Sequence, residues 1–181
     1  IKVSGSYFFN STDNTNATDL TRNYFTSSDS TNVYNEHDNS EANNLNHRVN
    51  LRFEYTIDSF NSIIFTPGVS FQKNNTTGGT TANDSIRDAQ VSYTNNNTKA
   101  NTTGYSSSNN LLFQHKFNKP RRTVSLNIGS SLNEKSGDGN YYALTRYASS
   151  QQILDQHYTL YNNGYTLSPN ATYTEPVGKK G

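Results

Sequence analysis

The residues best suited to chemistry are the histidines and carboxylates between positions 36 and 47. His37 and His47 lie ten residues apart, and Glu36, Asp38 and Glu41 stand near them. Imidazole and carboxylate groups are competent ligands for transition metals. The polar surroundings are also those of a solvated loop and the shoulder of a strand. We favour this second interpretation and predict no metal site.

A second candidate ligand is Asp138, within residues 136–140 (SGDGN). This segment is similar to calcium-binding loops, but the full loop pattern with its distal glutamate is absent. We therefore predict an extracellular turn. Residues 74–79 (NNTTGG) predict a flexible loop tip, because neither a lysine nor a strand-to-helix context follows them as in a phosphate-binding loop.

No group of residues has the spacing of a catalytic site. The sequence has no Ser-His-Asp signature, no HExxH motif and no glycine-rich nucleotide loop. The carboxylates are scattered over polar segments, with no burial cue that would raise the pKa of one above another. The sequence therefore predicts neither an enzyme nor a cofactor. A net charge of +1 gives no strong field of one sign, so we predict no nucleic-acid partner.

The elements that position these residues are predicted from composition and alternation. Only 30% of the 181 residues are hydrophobic and 16% are charged, whereas Asn, Ser, Thr and Tyr are abundant. Such a chain predicts a β-rich fold with a thin apolar stripe. The absence of cysteine excludes a disulfide-stapled module and a thiolate metal site. The chain has no methionine and begins at Ile1, so we expect it to lie within a longer precursor.

The clearest local signal is strict alternation of apolar and polar residues. Positions 49–58 alternate for ten residues, and positions 63–72 alternate again after a four-residue polar link. This pattern predicts two strands of an antiparallel hairpin, each with one apolar and one polar face. Similar alternation near residues 1–9, 110–117, 124–132 and 165–173 predicts six strands in three hairpins.

Short turns near positions 58, 118 and 175 alternate with long polar segments at 11–44, 74–104 and 133–157. We predict short turns at one end of the sheet and long polar loops at the other, the arrangement of an outer-membrane β-barrel, with the outer parts of the strands running well into the polar segments, for example over residues 86–94. A soluble antiparallel sheet with one face on a core explains the alternation equally well but the loop asymmetry poorly. In the barrel, the lipid-facing stripe would comprise Val49, Leu51, Phe53, Tyr55, Ile57, Ile63, Phe65, Val69, Phe71, Val124, Leu126 and Ile128. Aromatic residues near the stripe ends suit the interfacial girdles of such barrels: Tyr7, Phe9, Phe71, Phe117 and Tyr173.

Residues 46–62 (NHRVNLRFEYTIDSFNS), followed by Phe65-Thr66-Pro67, resemble the outer-membrane β-barrel proteins of the Bacteroidota, which are related to TonB-dependent receptors. Residues 173–179 (YTEPVGK) resemble a later strand and turn of the same family. The resemblance implies a large barrel with a plug domain. It also implies a TonB-type energising complex and a surface lipoprotein as possible partners, besides membrane lipid.

Six strands are too few to close a bacterial membrane barrel, of which the smallest have eight. We therefore expect residues 1–181 to be part of one barrel domain, with the plug and the remaining strands elsewhere. The function we expect is the wall of an outer-membrane receptor or transport barrel that takes up an unidentified solute. The alternative is a surface-anchored or secreted β-rich binding or adhesion module without transport.

Overall fold

The computed structural model describes residues 1–25, 31–87 and 89–177. Within these ranges it contains six β-strands and no helix. The strands are β1 (Lys2–Phe25), β2 (Thr31–Thr56), β3 (Asn61–Ile86), β4 (Ala89–Lys116), β5 (Thr123–Tyr147) and β6 (Gln151–Thr174). None of the described residues belongs to a helix long and apolar enough to cross a membrane.

The six strands form one antiparallel sheet in the order β1-β2-β3-β4-β5-β6. Each strand pairs with its sequence neighbour, and in the described part of the chain β1 does not pair with β6, so the sheet is open. The prediction of six antiparallel strands in three hairpins is therefore confirmed. An open up-and-down sheet of this kind is consistent with a segment of a barrel.

The prediction of long polar loops is wrong, because the polar segments are themselves strand. Each strand has 24 to 28 residues and continues through the regions predicted as loops. At the far end, Ile86 pairs with Ala89, and the amide of Tyr147 donates to the carbonyl of Ser150 at 2.8 Å. The β1–β2 pairing reaches Phe25, and residues 26–30 lie outside the described ranges.

We call the end of the sheet with the turns at 57–60 and 117–122 the inner end, and the opposite end the outer end. In the first turn, the Asp58 carboxylate accepts the amides of Phe60 and Asn61, both at 2.7 Å. In the second, the amide of Phe117 donates to the carbonyl of Arg122 at 3.0 Å. These side-chain and backbone bonds satisfy polar groups that the strand ladder leaves unpaired.

The sheet is a single layer without a conventional core. Contacts between elements join only consecutive strands, and Ala82 is the one buried hydrophobic residue among those described. Phe53, Leu51 and Ile57 keep 36%, 38% and 46% of their surface exposed. The predicted apolar stripe is therefore not enclosed by another part of the described chain.

Candidate membrane interface

The strand register assigns every side chain to one of two faces. Residues that pair across neighbouring strands share a face, and so do residues two apart along one strand. Val49 pairs with Val69, Phe53 with Phe65 and Tyr55 with Ile63. The apolar stripe of β2 therefore continues on the same face of β3.

The same face continues across the other strands. Ile63 pairs with Phe113, which pairs with Leu126 on β5. Eleven of the twelve predicted stripe residues consequently lie on this face, and the twelfth, Ile57, directly follows β2. We call this face the banded face and the opposite face the polar face. The apolar zone of the banded face, which lies nearest the inner end, is called the apolar band.

An aromatic row marks the outer limit of the apolar band. Phe9 pairs with His47, His47 with Phe71, and Phe71 with Tyr105, so the four rings lie side by side on β1 to β4. The rings of Phe9 and His47 are 4.9 Å apart, and the Tyr7 hydroxyl lies 2.7 Å from Nδ1 of His47. This row holds two of the five predicted girdle residues, Phe9 and Phe71, with a third, Tyr7, in contact with it, and adds His47 and Tyr105, which the alternation did not single out.

A second aromatic group marks the inner limit of the band. The Phe117 ring makes edge-on contacts with the rings of His115, at 4.5 Å, and Tyr173, at 6.3 Å. His115 is also 2.8 Å from Oδ1 of Asn61. Along β4 the two limits, Tyr105 and His115, are ten residues apart, roughly 33 Å at 3.3 Å per residue.

Charged side chains are segregated between the faces at the height of the apolar band. Between the two aromatic limits the banded face carries no Asp, Glu, Lys or Arg among the described residues, and Glu134 lies on this face in the outer limiting row, paired with Tyr105. The polar face carries the charged residues at this height, namely Lys2, Arg48, Arg52, Glu54 and Lys116. Arg52 donates to Glu54 along the same face at 2.7 Å. Asn, Ser, Thr, Gly and Gln make up most of the rest of that face.

Just beyond the inner limit, hydrogen bonds to the Glu175 carboxylate connect the end of β6 with the turn that precedes β5. Arg122 donates to its two carboxylate oxygens at 2.6 and 2.9 Å, and Tyr173 donates at 2.6 Å. Lys119 donates a further hydrogen bond. Hydrogen bonds from Arg122, Lys119 and Tyr173 hold the pKa of the Glu175 carboxyl well below its ordinary value. Sequence reasoning missed this cluster, since its members meet only through strand pairing.

Outside the apolar band, polar side chains predominate on both faces, with scattered apolar residues such as Ile153, Leu154 and Leu160 on β6. On β3, for example, residues 73–86 extend about 45 Å beyond the aromatic row. Ser, Thr and Asn side chains bond across the strands there, such as Thr103 to Ser136 at 3.1 Å. This region contains residues 74–79 and 136–140, so the predicted loop tip and the predicted extracellular turn are both wrong.

The histidine and carboxylate candidates do not converge on a metal site. His37 and His47 lie on one strand ten residues apart, and His37 instead contacts Asp19 at 2.6 Å. His157 contacts Oδ1 of Asn140 at 2.9 Å. Among the described residues, no group of three metal-ligating side chains is close enough to hold an ion.

Comparison with known proteins gives no family for the chain. No protein-family model matches it, and no curated protein matches it. One solved structure, the cryo-EM structure of the membrane pore complex of pneumolysin, aligns over 97% of this chain at 8% identity and a TM-score of 0.18. The chain spans 32% of the length of that structure's chain. A likeness this small carries no argument about fold or function.

Proposed function

We propose that this sheet is a wall segment of a bacterial outer-membrane β-barrel. The banded face would contact lipid and the polar face would line a water-filled interior. The observation that carries the proposal is the segregation of charge at the height of the apolar band. A charged side chain in hydrocarbon is costly, and one facing an aqueous lumen is not.

The dimensions of the apolar band support this assignment. Outer-membrane barrels have an outward apolar zone about 25 Å tall between two aromatic girdles. The band here is roughly 33 Å along the strand, which corresponds to about 23–27 Å in height at the strand tilt of roughly 35–45° usual in such barrels, and it has aromatic rings at both limits. Because lipid offers no hydrogen-bond partner, the open edges of β1 and β6 would pair with further strands of the same barrel.

The biological role we propose is uptake of a solute by a TonB-dependent-like receptor. The polar face runs along the full length of all six strands, so a hydrated surface continues from the outer to the inner end. The resemblance of residues 46–67 to this family adds a plug domain and an energising complex as expected partners. A strain that lacks the full-length protein should lose uptake of one nutrient, and unchanged uptake of every candidate nutrient would count against this role.

Adjacent residues on opposite faces offer a matched test of the membrane assignment. Leu126 lies on the banded face and Asn127 on the polar face. In the full-length protein, with one cysteine introduced at either position, a bimane label is attached and the protein is placed in bilayers. We expect brominated lipid to quench the label at Leu126→Cys and iodide in water to quench the label at Asn127→Cys.

The contrasting result would be iodide quenching at both positions with no effect of brominated lipid. That outcome would show that neither face contacts hydrocarbon, and it would remove the barrel proposal. The two cysteines share a strand, a height and a labelling chemistry, so differences in expression or overall folding cannot produce the expected contrast.

The outer halves of the strands favour a second candidate, a surface-anchored barrel that binds or adheres without transport. These halves extend about 45 Å past the aromatic row and present mostly polar side chains on both faces, together with exposed aromatic and apolar residues such as Tyr161 and Ile153. Exposed surfaces on a rigid scaffold commonly carry recognition. Normal growth and uptake in the deletion strain, together with loss of cell adhesion, would favour this candidate.

A further inference from the structure

The polar face contains a recess beside the outer limit of the apolar band. It has a volume of about 440 Å³, within the range of small-molecule sites. Gln72, Gly104, Lys135 and Asn162 form one cross-strand row through it. A Cβ atom at Gly104 would meet only the carbonyl oxygen of Glu134, at 3.9 Å, so the glycine leaves the floor of the recess open.

The lining of the recess combines one positive charge with amides and hydroxyls. Lys135 is its only charged lining residue, and no ion pair to Lys135 occurs among the described residues. The Asn74 side-chain oxygen already accepts the Thr76 hydroxyl at 2.8 Å. The Asn74 amide nitrogen therefore remains available to donate to a ligand.

Nothing on the described polar face compensates the charge of Lys135 at short range. The nearest carboxylates of the polar face, measured along the strands, belong to Asp38 and Glu54. Strand pairing places Asp38 in the same cross-strand row as Ala143 of β5, and Glu54 in the same row as Asn127. Each of these rows is eight residues from Lys135, about 26 Å along the strand. This separation exceeds the screening length of roughly 8 Å at physiological salt.

A second cation strengthens the positive potential at the recess. Arg48 pairs with Ser70, Ser70 with Ser106, and Ser106 with Asn133, so Arg48 stands in the row next to that of Lys135 on the inward side. Ser70, Ser106 and Asn133 all line the recess. Rings of Lys and Arg are the usual means by which pores favour anions.

From this geometry we infer that the recess binds a small hydroxyl-rich solute that carries an anionic group, with Lys135 against the anion. Neutral amide and hydroxyl groups would bind the hydroxylated body of the solute, and the ammonium would select its charge. This inference deepens the proposed function and rests on it, because the recess is accessible only if the polar face lines water.

The test measures the local potential through one cysteine. Ser106→Cys is introduced in the full-length protein, and its rates of modification by an anionic and by a cationic methanethiosulfonate are compared. The anionic reagent should be favoured, and Lys135→Gln should reduce the anionic-to-cationic rate ratio roughly fivefold. Lys73→Gln, which removes a lysine from the banded face at a similar height, should leave the ratio unchanged, and Lys135→Arg should preserve it.

Ligand protection tests the solute class with two matched probes. Gluconate should slow modification of Ser106→Cys, whereas sorbitol, which has the same carbon skeleton without the carboxylate, should not. The protection should disappear in Lys135→Gln. Equal protection by sorbitol, or a rate ratio indifferent to Lys135→Gln, would overturn the inference and leave the barrel proposal intact. Failure of both reagents to reach the cysteine would overturn the proposed function as well.

Discussion

The inner halves of the six strands, which carry the apolar band, differ from the outer halves, which lie beyond the aromatic row, in how polar and apolar side chains are distributed between the two faces. In the inner half, apolar and polar side chains alternate with few exceptions, such as Ile64 and Leu112, and between the aromatic limits the charges lie on one face. In the outer half, both faces are mostly polar and charges occur on both, such as Asp138 on the banded face and Lys135 on the polar face. The backbone ladder is continuous through both halves. The comparison shows that strand pairing extends well past the zone in which the two faces differ.

The two halves therefore depend on different interactions. The inner half presents a continuous apolar surface, and we propose that lipid covers it. The outer half has only scattered apolar residues, and its order comes from backbone ladders and cross-strand side-chain bonds such as Thr103 to Ser136. Net stabilisation by one exposed hydrogen bond of this kind is modest, about 0.5–1.5 kcal/mol.

The largest expected effect is a charge placed in the apolar band. Leu126→Arg puts a guanidinium on the banded face, where it should cost about 2–4 kcal/mol of unfolding free energy if that face contacts lipid. Ser136→Arg, ten residues further along the same face and strand, removes the hydrogen bond to Thr103 and should cost no more than about 1.5 kcal/mol. Urea unfolding of the full-length protein in lipid vesicles measures both, and equal costs would erase the distinction between the halves.

A smaller effect should come from a glycine in the outer half. A Cβ at Gly139 would overlap the Tyr158 ring and lie 2.8 Å from the carbonyl oxygen of Lys99. Gly139→Ala should therefore destabilise the sheet by about 1–3 kcal/mol through overpacking. Gly164→Ala is the control, since nothing lies within 4 Å of its Cβ position. Comparable stability of the two variants in urea would show that the Tyr158 contact does not order the outer half.

The smallest effect should be the pH dependence at the inner end. Because the folded pKa of Glu175 lies below its ordinary value of 4.5, its contribution to stability is present above pH 4.5 and is lost as the pH falls toward the folded pKa. Wild-type protein should therefore lose more stability between pH 7 and pH 3.5 than Glu175→Gln. Glu134→Gln, which removes a carboxylate outside this cluster, should keep the wild-type loss. Identical acid profiles for wild type and Glu175→Gln would contradict the role of the cluster.

The inner half of the fold was predictable from sequence, and the outer half was not. Strict alternation at 49–58 and a similar pattern, broken at Ile64, over 63–72 indicate a sheet whose two faces have different environments, so the hairpin and its stripe could be predicted. Where both faces are solvated, as at residues 74–79, alternation has no reason to exist and an Asn- and Thr-rich strand resembles a loop. The pairing of Ile86 with Ala89 and the register shift between Asp84 and Ser85 also left no periodic signal.

The candidate interface was predictable only in part. The stripe residues follow from alternation along each strand. His47 and Tyr105 joined the aromatic row through cross-strand register, which local patterns do not determine. Tyr105 could have been found by extending the two-residue spacing back from Leu111. The Lys135 recess depends on the register of four strands and carries no local signal.

The most direct test of the two-halves account is a spin-label scan along β5 of the full-length protein in bilayers. Accessibility to oxygen, which concentrates in hydrocarbon, and to a water-soluble nickel chelate is measured at each position from 124 to 144. We predict that oxygen and nickel accessibility alternate with a period of two residues over 124–132, and that nickel accessibility is high on both faces over 136–144. High nickel accessibility at Val124, Leu126 and Ile128, equal to that of the residues between them, would contradict the account.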